Sequence, residues 1–263
     1  MAILNVTPDS FSDGGMAFGI EEALRRAERC IAEGADILDI GGESTRPGSE
    51  RVSNEEEMRR VVPVIEAIAR RFEIPISLDT SKAEVAEAAI DAGAEIVNDI
   101  SGLRWDLAIA EIAARKKTGL VLMHSRGEFE TMHKQRPVDD IFEDVFSVFR
   151  EAVEKATSLG VGHEHIVLDV GIGFGKMANQ NLELLAGIGK LTTEFPQFPV
   201  LVGTSRKSFI GKILDDAPVD QRLFGSLASI AIAVWNGAKI VRVHDIKESV
   251  DVVKTVEAIK GQL

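Results

Sequence analysis

Eight short apolar runs recur along the chain, each ending in polar or glycine-rich residues, and this leaves few folds open to it. They are AILNVT from residue 2, ADILDIGG from 35, PISLDTS from 75, EIVNDIS from 95, GLVLMHS from 119, HIVLDVG from 165, PVLVGTS from 199 and KIVRVHD from 239. Their aliphatic and β-branched content, without alternation, suits strands buried on both faces, which is the signature of a parallel sheet. Between them lie segments with helical apolar spacing, such as EEALRRAERCIAEGA (21–35) and KAEVAEAAIDAGA (82–94). Gly34-Ala35, Gly93-Ala94 and Gly237-Ala238 mark three places where a helix ends and a strand begins. Spread over 263 residues, eight such units take about 33 residues each. That predicts an α/β fold of the (β/α)8 TIM-barrel type; an open doubly wound sheet more often has five or six strands. No Pro/Ser linker or shift in composition divides residues 1–263, so a single domain is expected.

Composition narrows the function. The chain is 45% hydrophobic and 27% charged, an ordinary globular balance. A net charge of −12 argues against a nucleic-acid partner, which needs a basic face. No apolar run is long enough to span a membrane. The start, MAILNVTPDS, lacks the basic and long apolar regions of a signal peptide. Cys30 is the only cysteine, read as a buried small hydrophobe, and a reducing, cytoplasmic location fits.

In a (β/α)8 fold the carboxyl ends of the strands build the site, so the residue types found there carry the argument. Asn5, Asp39, Asp79, Asn98 with Asp99, His124, Asp169, the run Ser205-Arg206-Lys207, and Arg242 with His244 all fall at or near strand ends. Polar groups inside apolar strands are costly without partners, and so many at one mouth points to a ligand. Two chemistries separate. Asp79, Asn98 and Asp169, with Lys207, suit the edge of a flat heterocycle carrying donors and acceptors. Asn5, Thr45, Arg46, Arg242 and His244 suit an anion such as phosphate. The stretch LDIGGESTRPGSE (38–50) places Thr45 and Arg46 on a loop bounded by Gly42, Pro47 and Gly48, an anion clamp able to open and close.

Other motifs lead nowhere. GIGFGK (171–176) lacks the third glycine of a dinucleotide loop, and GTSRKS (203–208) lacks the upstream glycine of a P-loop. Residues 205–208 instead lead into a helix whose start favours a carboxylate or phosphate. His124 and His244 alone cannot make a zinc site. His133, His163 and His165 are read as solvated, and EEEMRR (55–60) as an exposed helix start.

Taken in order, ILNVTPDSFSDGG (3–15), LDIGGESTRPGSE (38–50), ISLDTSK (76–82), EIVNDISG (95–102), LVLMHSRG (120–127), DVGIGFGK (169–176), VGTSRKSFIGKIL (202–214) and RVHDIKES (242–249) resemble the dihydropteroate synthases over nearly the whole chain. The resemblance implies an enzyme of folate biosynthesis, a transferase. It joins 6-hydroxymethyl-7,8-dihydropterin diphosphate to 4-aminobenzoate, with Mg²⁺, giving 7,8-dihydropteroate and diphosphate. It implies a pterin pocket on Asp79, Asn98, Ile100, Met123, Asp169, Lys207 and Arg242. The diphosphate site falls on Asn5, Thr45, Arg46, Arg242 and His244, with Asn5 as metal ligand. The aminobenzoate site falls on Arg46, Pro47, Phe174, Lys207 and Ser208, and Asp13 orders the loops around metal and diphosphate. Catalysis is assigned to Asp13, Arg46, Lys207, Arg242 and His244. The resemblance also implies a homodimer and sensitivity to sulfonamides; the family usually carries a hairpin before the first strand, whereas this sequence starts almost directly in that strand. The chain departs from the family at Val170, where many relatives carry proline, and at Ala2, where they often carry glycine. Two rival readings are a pterin-binding methyltransferase barrel, which would have no use for STRP or SRKS, and an inactive paralogue that only binds pterin.

Overall fold

The computed structural model describes residues 1–6, 15–46 and 48–262. Among them all eight expected runs form strands: β1 Ala2–Asn5, β2 Leu38–Gly41, β3 Ile76–Asp79, β4 Ile96–Asp99, β5 Gly119–Met123, β6 Ile166–Asp169, β7 Val200–Val202 and β8 Ile240–Val241. They pair in sequence order in one sheet, and every pairing is parallel. The first and last strands also meet. Ala2 and Val243 form a parallel bridge, with Ile3 N–H donating to Val243 O at 2.9 Å and Val243 N–H to Met1 O at 3.0 Å.

The strands are joined by α1 Gly15–Ala32, α2 Asn54–Arg71, α3 Ala83–Asp91, α4 Ala108–Lys116, α5 Ile141–Ser158, α6 Ala178–Ala186, α7 Ile188–Glu194, α8 Ser208–Ile213 and α9 Leu223–Trp235. The last, α10 Ile246–Lys260, follows β8. Their starts follow local chemistry. Ser53 Oγ accepts from Glu56 N–H at 3.2 Å before α2, and the Asp140 carboxylate accepts from Phe142 and Glu143 N–H before α5. The glycines expected at helix ends take the left-handed backbone that this role needs: Gly34 at φ 96°, Gly93 at 118° and Gly237 at 109°.

Apolar side chains fill both sides of the sheet. Outside it, the helices pack on β4–β7 through Phe149, Leu168, Leu184 and Val200, and on β1–β3 through Ala27, Ile40, Ile65 and Leu78. Cys30 belongs to the second layer, buried as expected. Inside it, Met1, Val121 and Leu201 touch one another and Ile37, Ile96, Val167 and Ile240. Contact between side chains of strands so far apart in order requires a strongly curled sheet, and it plugs one end. The polar residues collect at the other.

One expectation about the helices fails. EEEMRR starts α2 with Glu55 outside, but Glu57 is 1% exposed. It is held by Lys82 Nζ at 2.6 Å, and the same ammonium reaches Glu43 at 2.8 Å and Val52 O at 2.7 Å. A charge run cannot reveal that one member turns inward to a partner 25 residues away.

Candidate active site

Strand register places the polar ends. Asn5 lies opposite Gly41, Gly41 opposite Asp79, and Asp79 opposite Asn98. Farther round, Met123 lies opposite Asp169. Gly41 is the only member of the first row without a side chain. A Cβ there would sit 3.5 Å from Asn5 Oδ1 and 3.6 Å from Asp79 Cβ, so the gap between these two side chains stays open.

Arg242, just beyond β8, reaches across the mouth. Its Nε donates to Asp39 Oδ2 at 2.5 Å and its terminal nitrogen to Asp79 Oδ2 at 2.8 Å. Asn98 Nδ2 lies 3.3–3.4 Å from both Asp39 oxygens. Burial alone would lower the arginine's proton affinity, but Asp39 and Asp79 more than offset this and leave it raised. Burial pushes Asp79 up to about 7, against Arg242 and with help from Asp39. The Oδ1 atom of Asn98 is buried with no partner among the described residues. A buried acceptor left open in this way invites a ligand N–H.

Lys207 and Asp169 make the facing wall. Asp169 accepts the Gly171 N–H at 2.8 Å, and burial raises its proton affinity against the nearby Lys207. Lys207 donates to Ile172 O and lies 4.6 Å from the centroid of Phe174. Burial lowers it to about 8 while Asp169 opposes, so the amine is charged at neutral pH. The loop beneath owes its shape to GIGFGK. Gly171, Gly173 and Gly175 all have positive φ, at 61°, 85° and 67°. A Cβ at Gly171 would collide with His124 O. Lys176 Nζ gathers three carbonyls, those of His124, Gly171 and Phe174. The glycines therefore serve a tight turn, not a nucleotide. Ile100, Met123, Phe129 and Met132 line the mouth with Trp105 and Phe174.

On the cationic side, His244 Nδ1 lies 3.0 Å from Ser205 Oγ. Burial first, then Arg206 and Arg242 and more weakly Arg46, lower its pKa to about 4. Arg46 is exposed and makes no ion pair among the described residues. Thr45 O is 2.8 Å from His133 Nε2, and the His133 ring lies 5.9 Å from Phe174. His133 was expected to be merely solvated; it is exposed, yet it ties the β2 loop to the β5 loop. Ser208 begins α8 and is exposed. Asp13 and Pro47 lie outside the described residues.

Two strand-end residues do not join the mouth. His124 is fully buried behind it, 3.2 Å from Asp144 on α5, and burial drops its pKa to about 3. Asp99 accepts the Ser101 and Leu103 N–H groups and so shapes the turn after β4. Side chains alternate across a strand, so the neighbour of an inward residue points out. Met123 and Asn98 are the inward members of these pairs. The roles of Asp39 and of the Glu43–Lys82–Glu57 cluster were not assigned from sequence. For Asp39 a signal existed: it shares a strand face with Gly41, two residues on. A cavity of about 860 Å³ opens at the other end of the sheet, by Met1, Ile37, Val243 and Val253, and none of the expected site residues lines it.

The fold and the site define a class: a sheet of eight parallel strands whose carboxyl ends carry an acidic and amide cup beside a cationic edge. That class is the pterin-binding enzymes; the family profile described as "Pterin binding enzyme" matches residues 1–244. The dihydropteroate synthase of Escherichia coli K12 is 48% identical over 260 residues, covering 98% of this chain and 90% of that one. The solved dihydropteroate synthase of Clostridium difficile, in the presence of pteroic acid, superposes with a TM-score of 0.92 at 43% identity, covering 98% of this chain and 95% of that one. That of Yersinia pestis, with a sulfonamide drug, also gives 0.92, at 44% identity, covering 99% of this chain and 94% of that one. The chain belongs to the dihydropteroate synthase family, whose members are transferases of folate biosynthesis.

Proposed function

We propose that this chain joins 6-hydroxymethyl-7,8-dihydropterin diphosphate to 4-aminobenzoate at the strand-end mouth, as a single (β/α)8 domain spanning 1–263. The Ala2–Val243 bridge supports closure of the sheet into that barrel. The observation that carries the functional reading is Arg242 spanning Asp39 and Asp79, with Asp169 and Lys207 facing it across the same mouth. Asp169 accepts two N–H bonds from the aminopyrimidine edge of the pterin, while Asn98 Oδ1 and Asp79 take its other donors. Ile100 and Met123 cover one ring face and Arg242 the other. Arg46, Thr45, Arg242, His244 and Asn5 hold the diphosphate. Phe174, Lys207, Arg46, Pro47 and Ser208 form the aminobenzoate site, where a sulfonamide competes.

A divalent metal fits the donors present. Asn5 offers an amide oxygen beside Asp79, and no cluster of three His, Cys, Asp or Glu occurs among the described residues. Mg²⁺ accepts such a setting when substrate phosphates supply most of its shell. Bound there, it would supply charge neutralisation for the leaving diphosphate. Asn5 would be its ligand, and Asp13, outside the described residues, would order the loops around it. Arg46 and Arg242 supply the positive charge and neutral His244 a hydrogen bond, so the C–O bond breaks with its electron pair on diphosphate. The pterin delocalises the positive charge left on its methylene. The weakly basic aniline nitrogen then forms the C–N bond and releases a proton to solvent. No strong base is required. Residues 9–19 and 43–50 close over the mouth to keep water from the cation.

The protein acts in the cytoplasm as a homodimer. Support for the dimer is the apolar surface of α9 and its surroundings, where Phe224 is 81% exposed beside Ile232, Trp235 and Leu214. The deciding assay supplies pterin diphosphate, 4-aminobenzoate and Mg²⁺ and measures 7,8-dihydropteroate. Product formation is expected. Pterin binding without product would favour an inactive paralogue and end this reading.

A further inference from the structure

The loops after β7 and β8 are joined by two successive contacts. Ser205 Oγ accepts the His244 N–H at 3.2 Å and lies 3.0 Å from His244 Nδ1. The next residue on each loop repeats the pattern: Arg206 Nε donates to Asp245 Oδ2 at 3.0 Å, and its terminal nitrogen donates to Asp245 Oδ1. One residue further along the first loop is Lys207, over Phe174. Three residues back on the second is Arg242, across Asp39 and Asp79. The Arg206–Asp245 fork thus ties together the two loops that carry Lys207 and Arg242.

Two costs accompany the fork. Arg206 has φ 59°, a left-handed conformation that residues other than glycine, asparagine and aspartate seldom take. It is held there because its N–H donates to Ser226 Oγ at 2.9 Å and its carbonyl accepts from Arg222 at 3.1 Å. Asp245 occupies the N-cap of α10, where an aspartate ordinarily accepts a first-turn N–H. It makes no such bond; its carboxylate is given to Arg206. A strained backbone and a forgone cap converge on one ion pair.

We infer that Arg206 and Asp245 form a positioning strut that fixes the distance between His244 and Lys207, and so between the diphosphate grip and the pterin cup. The ligand identities rest on the function proposed above. The strut works through Ser205, whose Oγ lies against Nδ1 of His244; by donating to that nitrogen it leaves Nε2–H to donate to an anion. Arg206, Arg242 and Arg46 face that imidazole together with Asp245, and burial first, then the three cations, favour its neutral form.

The test begins with Arg206→Asn, because asparagine tolerates the left-handed backbone and a folding defect is not expected. Its melting temperature should equal or exceed the parent's. Its dissociation constant for inorganic diphosphate and its KM for pterin diphosphate should each rise about tenfold. Asp245→Asn should do the same. The double variant should be no worse than either single, since one bond is lost in each case. The swap R206D/D245R should recover part of the loss. If both singles bind diphosphate within about twofold of the parent, or the double loses the product of the two effects, the strut is wrong. Turnover by the parent, measured alongside, tests the function reading separately.

Discussion

Asp39 lies in the middle of an apolar strand and is wholly buried, yet it accepts from both Arg242 and Asn98. It is the fixed anion around which the mouth is arranged. Without it, Arg242 would retain one carboxylate, Asp79, which is also in line to meet the substrate. Asp39→Asn is therefore expected to cost about 2 kcal/mol of stability, the scale of one charge-assisted bond, read from a urea midpoint. Asp39 is also one of the groups that push Asp79 up. Its neutralisation should shift the Asp79 step in pterin binding to lower pH. An unmoved step with an unmoved midpoint would make Asp39 a bystander.

At the scale of elements, the β2 loop carries Thr45 and Arg46 and is rooted by Lys82. That buried ammonium binds Glu43 at the loop's start, Val52 O at its end and Glu57 on α2. His133 holds the tip through Thr45 O. Lys82→Met leaves two buried carboxylates facing one another, and breaking a buried pair in this way costs about 3–5 kcal/mol. Thermal melts should show that loss, and turnover should fall because Arg46 is no longer presented. Adding Glu57→Gln should return part of the stability but not the turnover. Full turnover in Lys82→Met would show that the root does not govern the loop. The same scale shows what could be read in advance. All eight strands were legible, because runs buried on both faces admit little but β-branched and aliphatic residues. The inward or outward sense of each strand-end pair was not. Asn98 against Asp99, and Met123 against His124, differ by one residue, and only the register of the sheet assigns the face.

Over the whole molecule, burial of titratable groups sets the response to pH. His124 and His244 have pKa values of about 3 and about 4 when folded, below the ordinary 6.5. The unfolded chain takes up their protons first, so their contribution to stability is lost as pH falls below about 6.5. Asp79 and Asp99 stand at about 7 and about 6 when folded, above the ordinary 3.8. Their contribution runs the other way: it is present at low pH and lost as pH rises through 6 to 7. The two trends oppose each other between about pH 4 and 6. Replacing His124 with glutamine should remove its share of the first trend and leave that of His244. Relative to the parent, the variant should gain about 1.4 kcal/mol per pH unit on acidification from 6.5 toward 3. Denaturant melts at several pH values would show it, and parallel curves would refute it.

The amino-acid sequence by itself determined the eight-unit α/β pattern, because hydrophobic periodicity is local and each unit repeats it. It also determined the chemical types available at the strand ends, because polar residues in apolar runs stand out. Only the tertiary structure decided that Arg242 lies against Asp39 and Asp79, that Glu57 turns in to Lys82, and that Arg206 pairs with Asp245. These are contacts between segments far apart in the chain. Their energy depends on low dielectric and on distances of a few ångströms, and neither exists until the sheet has curled and brought its ends together.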